Sequence, residues 1–568
     1  MSRAIARSLS PDFAVLLFGA LLTAPLSAQA VLETWTGPGA DDAYGDALDN
    51  AGDVDGDGVD DLIVGSPSAN GGAGRVEVAS GRTGNVLITF LGAGSDALGT
   101  AVAGVGDMNG DGLSEIAFSA PGRSLFIDGQ VKYDPVTIWN FANRGSGYYT
   151  YWSLVNEDAG MSLSGKGDGD GDGRADLLIG IPFFDAPGLA DAGRVLRIRH
   201  TPFTTQILEV ARGTQAGERL GHAVAWVGEV VGGSSTDYLA VSAPYRDQGG
   251  AQNSGHVYVM DGFGNPLWNK AGPAQTGAAF GWSLSGGVDI SGNGSPDVVV
   301  GSPWYDATAE INHGRVVVYR GHSGAFYASR VGDDSGDLMG WDVQGVIVDG
   351  DPHVFAGAPG DGETGGFTLL DRGVLHRLTG FGLATTWTAL GGASWGYFGR
   401  TIAVLADMNN DGSQEFAVGQ PYTNFFQSNA PGIVRLYDGQ THLASWNNYG
   451  DGLAGTLGVP QLELTYDPQL QSNSLLIIEN SRGVPTLGLI VIGFATAALP
   501  FKMGTLHVLP QTTRNLASIP VPSLDLSVST PDDHTISGLT VYLQVAELDP
   551  GSPSGVSLSQ GLQVNYGV

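Results

Sequence analysis

Seven times along this chain, at intervals of 54 to 62 residues, an aliphatic run ends in a proline: Pro67, Pro121, Pro182, Pro244, Pro303, Pro359 and Pro421. The runs read DLIVGSP, EIAFSAP, DLLIGIP, YLAVSAP, DVVVGSP, HVFAGAP and EFAVGQP. A period of this size marks a supersecondary unit that buries its apolar faces by stacking on copies of itself.

Each unit opens on a glycine (Gly45, Gly99, Gly160, Gly221, Gly281, Gly340, Gly399) and a short alternating segment. An acidic loop follows in five units, then the proline-ended run, a variable loop, and a segment such as GRVEV, GQVKY or GRVVVY. A turn and a last β-like segment, such as NVLITFLG from Asn85, complete the unit. β-Branched residues separated by turn chemistry give four short strands per unit and no amphipathic helix. Seven four-stranded units predict an all-β fold, a seven-bladed β-propeller. A linear β-solenoid is the alternative, but its rungs are far shorter than 60 residues. Closing the ring needs one strand from a chain end. VLETW at Val31 and HLASW at His442 both qualify, and the sequence does not choose between them.

The acidic loops place oxygen side chains at positions 1, 3, 5 and 9. Unit one has Asp53, Asp55, Asp57 and Asp61; unit two Asp107, Asn109, Asp111 and Glu115; unit three Asp168, Asp170, Asp172 and Asp176. Unit five has Asp289, Ser291, Asn293 and Asp297; unit seven Asp407, Asn409, Asp411 and Glu415. Carboxylates alternating in a tight loop repel one another unless a cation sits among them. Hard oxygen donors on a flexible loop favour Ca²⁺ over Mg²⁺. The carbonyls at position 7, of Val59, Leu113, Arg174, Ser295 and Ser413, would add a ligand. Position 12 falls inside an apolar strand instead of carrying a glutamate, so these are not EF-hands. Up to five Ca²⁺ sites are expected. By carboxylate count units one and three are strongest and unit five weakest. Unit four, read as Glu229 to Asp237, and unit six, at 348–353, lack the ligand pattern and are expected to hold no metal.

An FG-like start, a DxDxDGxxD loop and a GAP-like end followed by GxV resemble FG-GAP repeats. The literal motifs are Phe280-Gly281, Phe398-Gly399 and Gly357-Ala358-Pro359. The resemblance covers about residues 31–450 and implies the seven-bladed propeller of integrin α-subunits. It also implies calcium loops on the bottom face and ligands on the upper one. The segments after each proline would then lie on the ligand side. They are Phe183-Phe184-Asp185, Tyr245 with Asp247, Trp304-Tyr305-Asp306, and Tyr422. An aromatic ring beside a carboxylate suits a sugar ring and its hydroxyls, or a protein partner. The same rings could equally pack between blades.

The formal charge of −32 disfavours nucleic acid and anionic membranes as partners. Without cysteine, disulfides and thiolate zinc sites are excluded. Arg3, Arg7, an apolar run at 13–26 and Ala28-Gln29-Ala30 read as a secretory signal over residues 1–30. The expected location is therefore extracellular or cell-surface, with no membrane span in the mature chain. A second apolar stretch, 484–501, is broken by Pro485 and Pro500 and reads as buried β-structure. No HExxH is present, and the histidines, His222 and His256 among them, read as surface or turn residues. The propeller is expected over 31–452 and a β-sandwich over 453–568. The ending of the chain resembles a C-terminal module of secreted bacterial proteins. The function expected is a binding or adhesion module for a glycan or protein ligand. A calcium-dependent polysaccharide hydrolase or lyase and a surface-layer component are the alternatives.

Overall fold

The structure is a computed structural model. It describes residues 31–565 apart from 40–41, 123–124, 128–129, 133–135, 140–147, 151–159, 202–203, 308–310, 362–371, 392–395, 409–412, 423–430, 440–444, 465–472 and 530–538. The segment expected to be a secretory signal lies outside the described residues. Two compact units are present, Glu33–Gly439 and Gln440–Val568.

The first unit is built of seven four-stranded antiparallel sheets. Blade 1 consists of Ala47–Gly52, Asp61–Ser66, Arg75–Ala79 and Val86–Leu91, hydrogen-bonded in that order. The first strands of the seven blades adjoin one another in cyclic succession, and Thr401–Val404 of blade 7 lies against Ala47–Gly52 of blade 1. The ring is therefore closed. The second strands carry the proline-ended runs, and Asp61–Ser66, Asp176–Ile181 and Asp297–Ser302 are buried along their whole length. Sheets packed on both faces demand such unbroken apolar runs, whereas the edge strand Val86–Leu91 alternates in burial. Cores form between successive blades, as where Val105, Ile116 and Ile138 of blade 2 are joined by the strands of neighbouring blades.

The repeat glycines have a steric cause. A Cβ on Gly65 would stand 2.2 Å from the carbonyl oxygen of Gly99, which opens the next unit. The same approach recurs for Gly180 on Gly221, Gly301 on Gly340, Gly357 on Gly399 and Gly419 on Gly45, at 1.8 to 2.3 Å. The two recurring glycines, one from each of two successive repeats, are thus the two sides of a seam between blades. Blades 2 and 4 carry Ser119 and Ser242 at the first of these positions.

One open choice is resolved, and three expectations need correction. The strand closing blade 7 is Val31–Thr36, which pairs with Ile433–Tyr437. Its Trp35 is buried and donates from Nε1 to the Gly84 carbonyl in the turn of blade 1, at 2.7 Å. Trp268 in the fourth strand of blade 4 makes the same kind of bond to Gly321 of blade 5. The competing candidate contributes Ser445–Tyr449, which pairs with Gly561–Asn565 in the second unit, so the compact units divide at 439/440 and not at 452/453. In unit two, GQVKY is not the third strand. Gln130–Lys132 forms a hairpin with Leu125–Ile127, and Val136–Trp139 takes the third place. Lastly, the apolar stretch 484–501 is only half buried. Thr486–Gly493 is central in a sheet, while Thr496–Phe501 belongs to an exposed hairpin with Gly504–Val508.

The second unit has a sheet running Ser445–Tyr449, Gly561–Asn565, Thr540–Leu548, Thr486–Gly493, Thr512–Ile519, and a three-stranded sheet of Leu462–Leu464, Asn473–Glu479 and Ser523–Ser529. Leu464, Leu476 and Ile478 of the second sheet share a core with Ile490, Val541, Leu543 and Val564 of the first. This is a β-sandwich. Among the described residues no helix is long and apolar enough to cross a membrane.

Candidate metal loops and channel mouth

The loops connect the first and second strands of a blade, so they lie at one end of the propeller. The first position of each loop organises it. Asp53 accepts amide hydrogens from Gly56, Asp57 and Gly58 at 2.7 to 3.0 Å. Asp107 and Asp168 repeat the pattern, and Asp289 accepts from Asn293 and Gly294. Position 5 accepts the amide of position 7, as Asp57 does from Val59, Asp111 from Leu113, Asp172 from Arg174 and Asn293 from Ser295. The ninth residue begins the buried second strand and turns its carboxylate inward. Asp61, Glu115, Asp176 and Asp297 are at most 1% exposed.

These inward carboxylates pay for desolvation. Burial pushes Asp61 and Asp176 up to about 7 and Glu115 up to about 8, and nearby loop acids add to the rise. Asp297 is raised for the same first cause. Oxygens of Asp53, Asp55 and Asp61 lie within 4.8 Å of one another, and so do those of Asp168, Asp170 and Asp176. In blade 1 this convergent set fits a hard divalent cation, with Asp57 instead drawn outward to Arg82 at 2.9 Å. Blade 2 offers the same frame, with Asn109 bonded to Glu115 at 2.6 Å. In blade 5 the Ser291 amide donates to Asp297 at 2.6 Å, and Ser295 Oγ to the Val230 carbonyl. In blade 7 Glu415 accepts the amide of Met408 at 2.7 Å, and Ser413 Oγ accepts that of Asp349 at 2.8 Å. Asp407 is also described, whereas Asn409 and Asp411 lie outside the described residues.

In blade 3 side-chain cations stand among the converging acids. The Arg197 guanidinium lies 3.4 Å from Asp170 and 3.7 Å from Asp176, and Arg199 also contacts Asp170. Blade 4 departs further. Asp237 is not the ninth position, because its amide bonds the Asp168 carbonyl just as that of Ala175 bonds Asp107 and that of Ser114 bonds Asp53. Tyr238 therefore begins the strand where a closing carboxylate stands elsewhere, and Asp237 accepts the Asp168 amide at 2.8 Å. In blade 6 the loop is reduced to the two-residue turn Asp349-Gly350, both with positive φ.

At the opposite end of each first strand, the residue after the opening glycine faces the propeller axis. Asp46, Thr100, Met161, His222, Trp282, Trp341 and Arg400, one from each blade, line one cavity of about 380 Å³. Trp282 lies 4.4 Å from His222 and 5.4 Å from Trp341, ring centre to ring centre. Arg400 sits 5.1 Å over the Trp341 ring and pairs with Asp46 at 2.6 Å. The mouth is thus aromatic on one arc and charged on another. This ring escaped the sequence reading, and its signal was simple: the side chain directly after each repeat glycine. His222, read as a surface residue, belongs to it.

The segments after the prolines share this end, and the structure divides them. Two of their first aromatics touch mouth residues, Tyr245 meeting His222 at 6.1 Å and Trp304 meeting Trp282 at 4.4 Å. Arg219 covers both Phe183 and Tyr245 at 4.7 and 4.5 Å. Their second aromatics pack within the blade, Phe184 beneath Arg194 and Tyr305 beneath Arg315. The acids serve the backbone. Asp185, Asp247 and Asp306 accept the amides of Asp191, Asn253 and Asn312 at 2.8 to 2.9 Å, and those three residues hold positive φ. Tyr422 meets the Tyr397 ring at 6.0 Å.

With the blades and loops defined, the comparisons are direct. The FG-GAP repeat family matches residues 44–78 and 280–327, which are units one and five. The chain carries FG-GAP repeats. Integrin alpha-PS2 of Drosophila melanogaster is 32% identical over 223 residues, which are 35% of this chain and 14% of that one. Integrin alpha-IIb of Homo sapiens is 38% identical over 161 residues, covering 26% and 14%. Integrin alpha-V of Gallus gallus is 31% identical over 238 residues, covering 39% and 21%. The FG-GAP propeller is integrin-α-like, and the chain spans about a seventh to a fifth of the length of these relatives. Among solved structures, Sqt1 from Chaetomium thermophilum aligns over 72% of this chain with a TM-score of 0.39 and 12% identity, too distant to bear on the argument.

Proposed function

We propose that this FG-GAP chain is a secreted, calcium-stiffened binding propeller that takes a glycan or an extracellular protein at the mouth of its axial channel. The observation that carries the reading is the ring of seven mouth residues. Trp282, Trp341, Trp304 and His222 give half-buried aromatic faces, and the Asp46–Arg400 pair gives hydrogen-bonding charge beside them. Aromatic anchors flanked by a paired charge are what hot spots are made of. The carboxylates after the prolines are a weaker part of such a surface, because each has an oxygen committed to a backbone amide.

Ca²⁺ enters as scaffold. In blade 1 the carboxylates of Asp53, Asp55 and Asp61 would hold it, and blades 2, 5 and 7 would hold it with fewer charges. The ion would neutralise converging acids and fix each loop against the next blade. The adhesion role is that of an integrin-α-like propeller, and extracellular location follows the same resemblance. The test is a screen of immobilised glycans and extracellular proteins with the full chain, with and without EGTA. Binding that survives in the wild type and is lost in Trp282→Ala and Trp341→Ala supports the mouth. Binding unaffected by both substitutions refutes it.

A further inference from the structure

The blade 1 loop meets an exposed arginine, Arg82, at Asp57, outside its converging acids, whereas the blade 3 loop meets a buried one within them. The residue that pairs across the sheet with the position four before the proline is Val78 in blade 1, Ile138 in blade 2, Val318 in blade 5 and Leu436 in blade 7. In blade 3 it is Arg197, opposite Leu178. Its side chain is 3% exposed and its guanidinium reaches Asp170 and Asp176, while Arg199, on the same face two residues along, contacts Asp170. Asp170 and Asp176 are two of the three acids that would otherwise surround an ion.

A second feature accommodates the arginine. Position 2 of the loop is Val54, Met108, Ile290 or Met408 in the other blades, and Val54 and Met108 are fully buried. In blade 3 it is Gly169, and a Cβ there would stand 2.7 Å from Arg197 Nη1 and 2.6 Å from the Trp226 ring. The loop has given up its apolar plug where the guanidinium needs room. The same register holds a second arginine in blade 6, where the loop is missing. Arg377 lies opposite Phe355 and is buried; burial lowers its pKa, and Asp349 of the two-residue turn partly offsets that.

We propose that blade 3 is closed by Arg197 and Arg199 in place of a metal ion, so that the chain binds Ca²⁺ in blade 1 but not in blade 3, although both loops carry four carboxylates. A divalent ion placed among Asp168, Asp170 and Asp176 would face a buried guanidinium at close range, and like charges in a low-dielectric site repel strongly. Carboxylate count then misorders the loops, because affinity follows net charge after the arginines are included. This inference rests on the calcium reading of blade 1, and the experiment separates the two.

Bound Ca²⁺ per chain is measured by equilibrium dialysis with radioactive calcium on the full chain and on matched variants of loop position 3. Asp55→Asn is expected to lose one ion, Asp170→Asn none, and Arg197→Met to gain one. Loss of one ion in Asp170→Asn overturns the proposal. A parallel melt in EGTA reads the arginine directly. Asp170→Asn removes the partner of a buried guanidinium and is expected to melt several degrees lower, whereas Asp55→Asn relieves repulsion and is expected to melt no lower than wild type. An Asp170→Asn chain as stable as wild type in EGTA also overturns it. A wild type that binds no ion would refute the calcium reading, and the EGTA melt would still decide the role of Arg197. Should Arg197→Met not fold, the two aspartate variants decide alone.

Discussion

Gly419 of blade 7 presses against Gly45 of blade 1 so closely that a Cβ on Gly419 would stand 2.3 Å from the Gly45 carbonyl oxygen. The first and last repeats thus meet through the same glycine seam that joins the blades between them. Gly419→Ala is expected to lower stability by about 2 kcal/mol or more, because backbone must move to admit the methyl group. Gly382→Ala is the control, since its Cβ would meet nothing within 4 Å and its φ is not positive. That change should stay within about 0.5 kcal/mol. Thermal melts of both variants in the same buffer check the pair. Equal losses would show that the seam is not tight.

Closure also depends on a strand brought from the N-terminal side. Trp35 buries its ring among Tyr44, Leu62, Leu405 and Val434 and bonds the Gly84 carbonyl through Nε1. Trp35→Ala should cost roughly 3–5 kcal/mol, as for a large aromatic removed from a core. Trp35→Phe keeps most of the ring and gives up the hydrogen bond, a loss of about 1 kcal/mol. Limited proteolysis should cut the alanine variant ahead of Ala47 faster than wild type, while the phenylalanine variant resists.

The blades were legible because a buried second strand must be apolar throughout, and seven such runs stand at regular spacing. The loops were legible because oxygen side chains recur at the same positions, 1, 3, 5 and 9. What stayed hidden depends on register across the sheet. Nothing local marks Arg197 as a neighbour of Asp170, since 27 residues separate them and only the pairing of Leu178 with Arg197 brings them together. The choice between VLETW and HLASW was hidden for the same reason, because either pattern satisfies an edge strand. Asp237 misled because it stands eight residues after Glu229, although the strand begins one residue later. The aromatic-Asp segments suggested recognition, whereas their acids are spent on left-handed turn residues.

Chelation should weaken the propeller chiefly through blades 1 and 2. At free Ca²⁺ a hundredfold above the dissociation constant, an occupied site contributes about 2.7 kcal/mol. EGTA is therefore expected to lower the melting temperature, and excess Ca²⁺ to restore it. Asp61→Asn should shrink the EGTA-dependent shift, because the closing carboxylate of blade 1 is gone. Scanning calorimetry with and without chelator reads both effects. An identical shift in variant and wild type would mean that blade 1 holds no stabilising ion.

The channel mouth should also be acid-sensitive. Burial, with Arg219 nearby, pulls His222 from its ordinary value of 6.5 down to about 4. Between those values the unfolded chain binds a proton that the folded chain refuses, so stability falls as pH drops through 6.5 and the full cost is reached below about 4. His222→Phe removes the titrating group and keeps a ring against Trp282, 4.4 Å away. Because the imidazole is half-buried and not sealed, the difference between pH 7.5 and 5 should be about 1 kcal/mol smaller in the variant than in wild type. Denaturant titrations of both proteins at the two pH values, in EGTA to remove any contribution from ion release, measure it. A wild type and variant with parallel pH dependence would show that His222 is protonated freely in the folded chain, and that the aromatic arc around it is open to water.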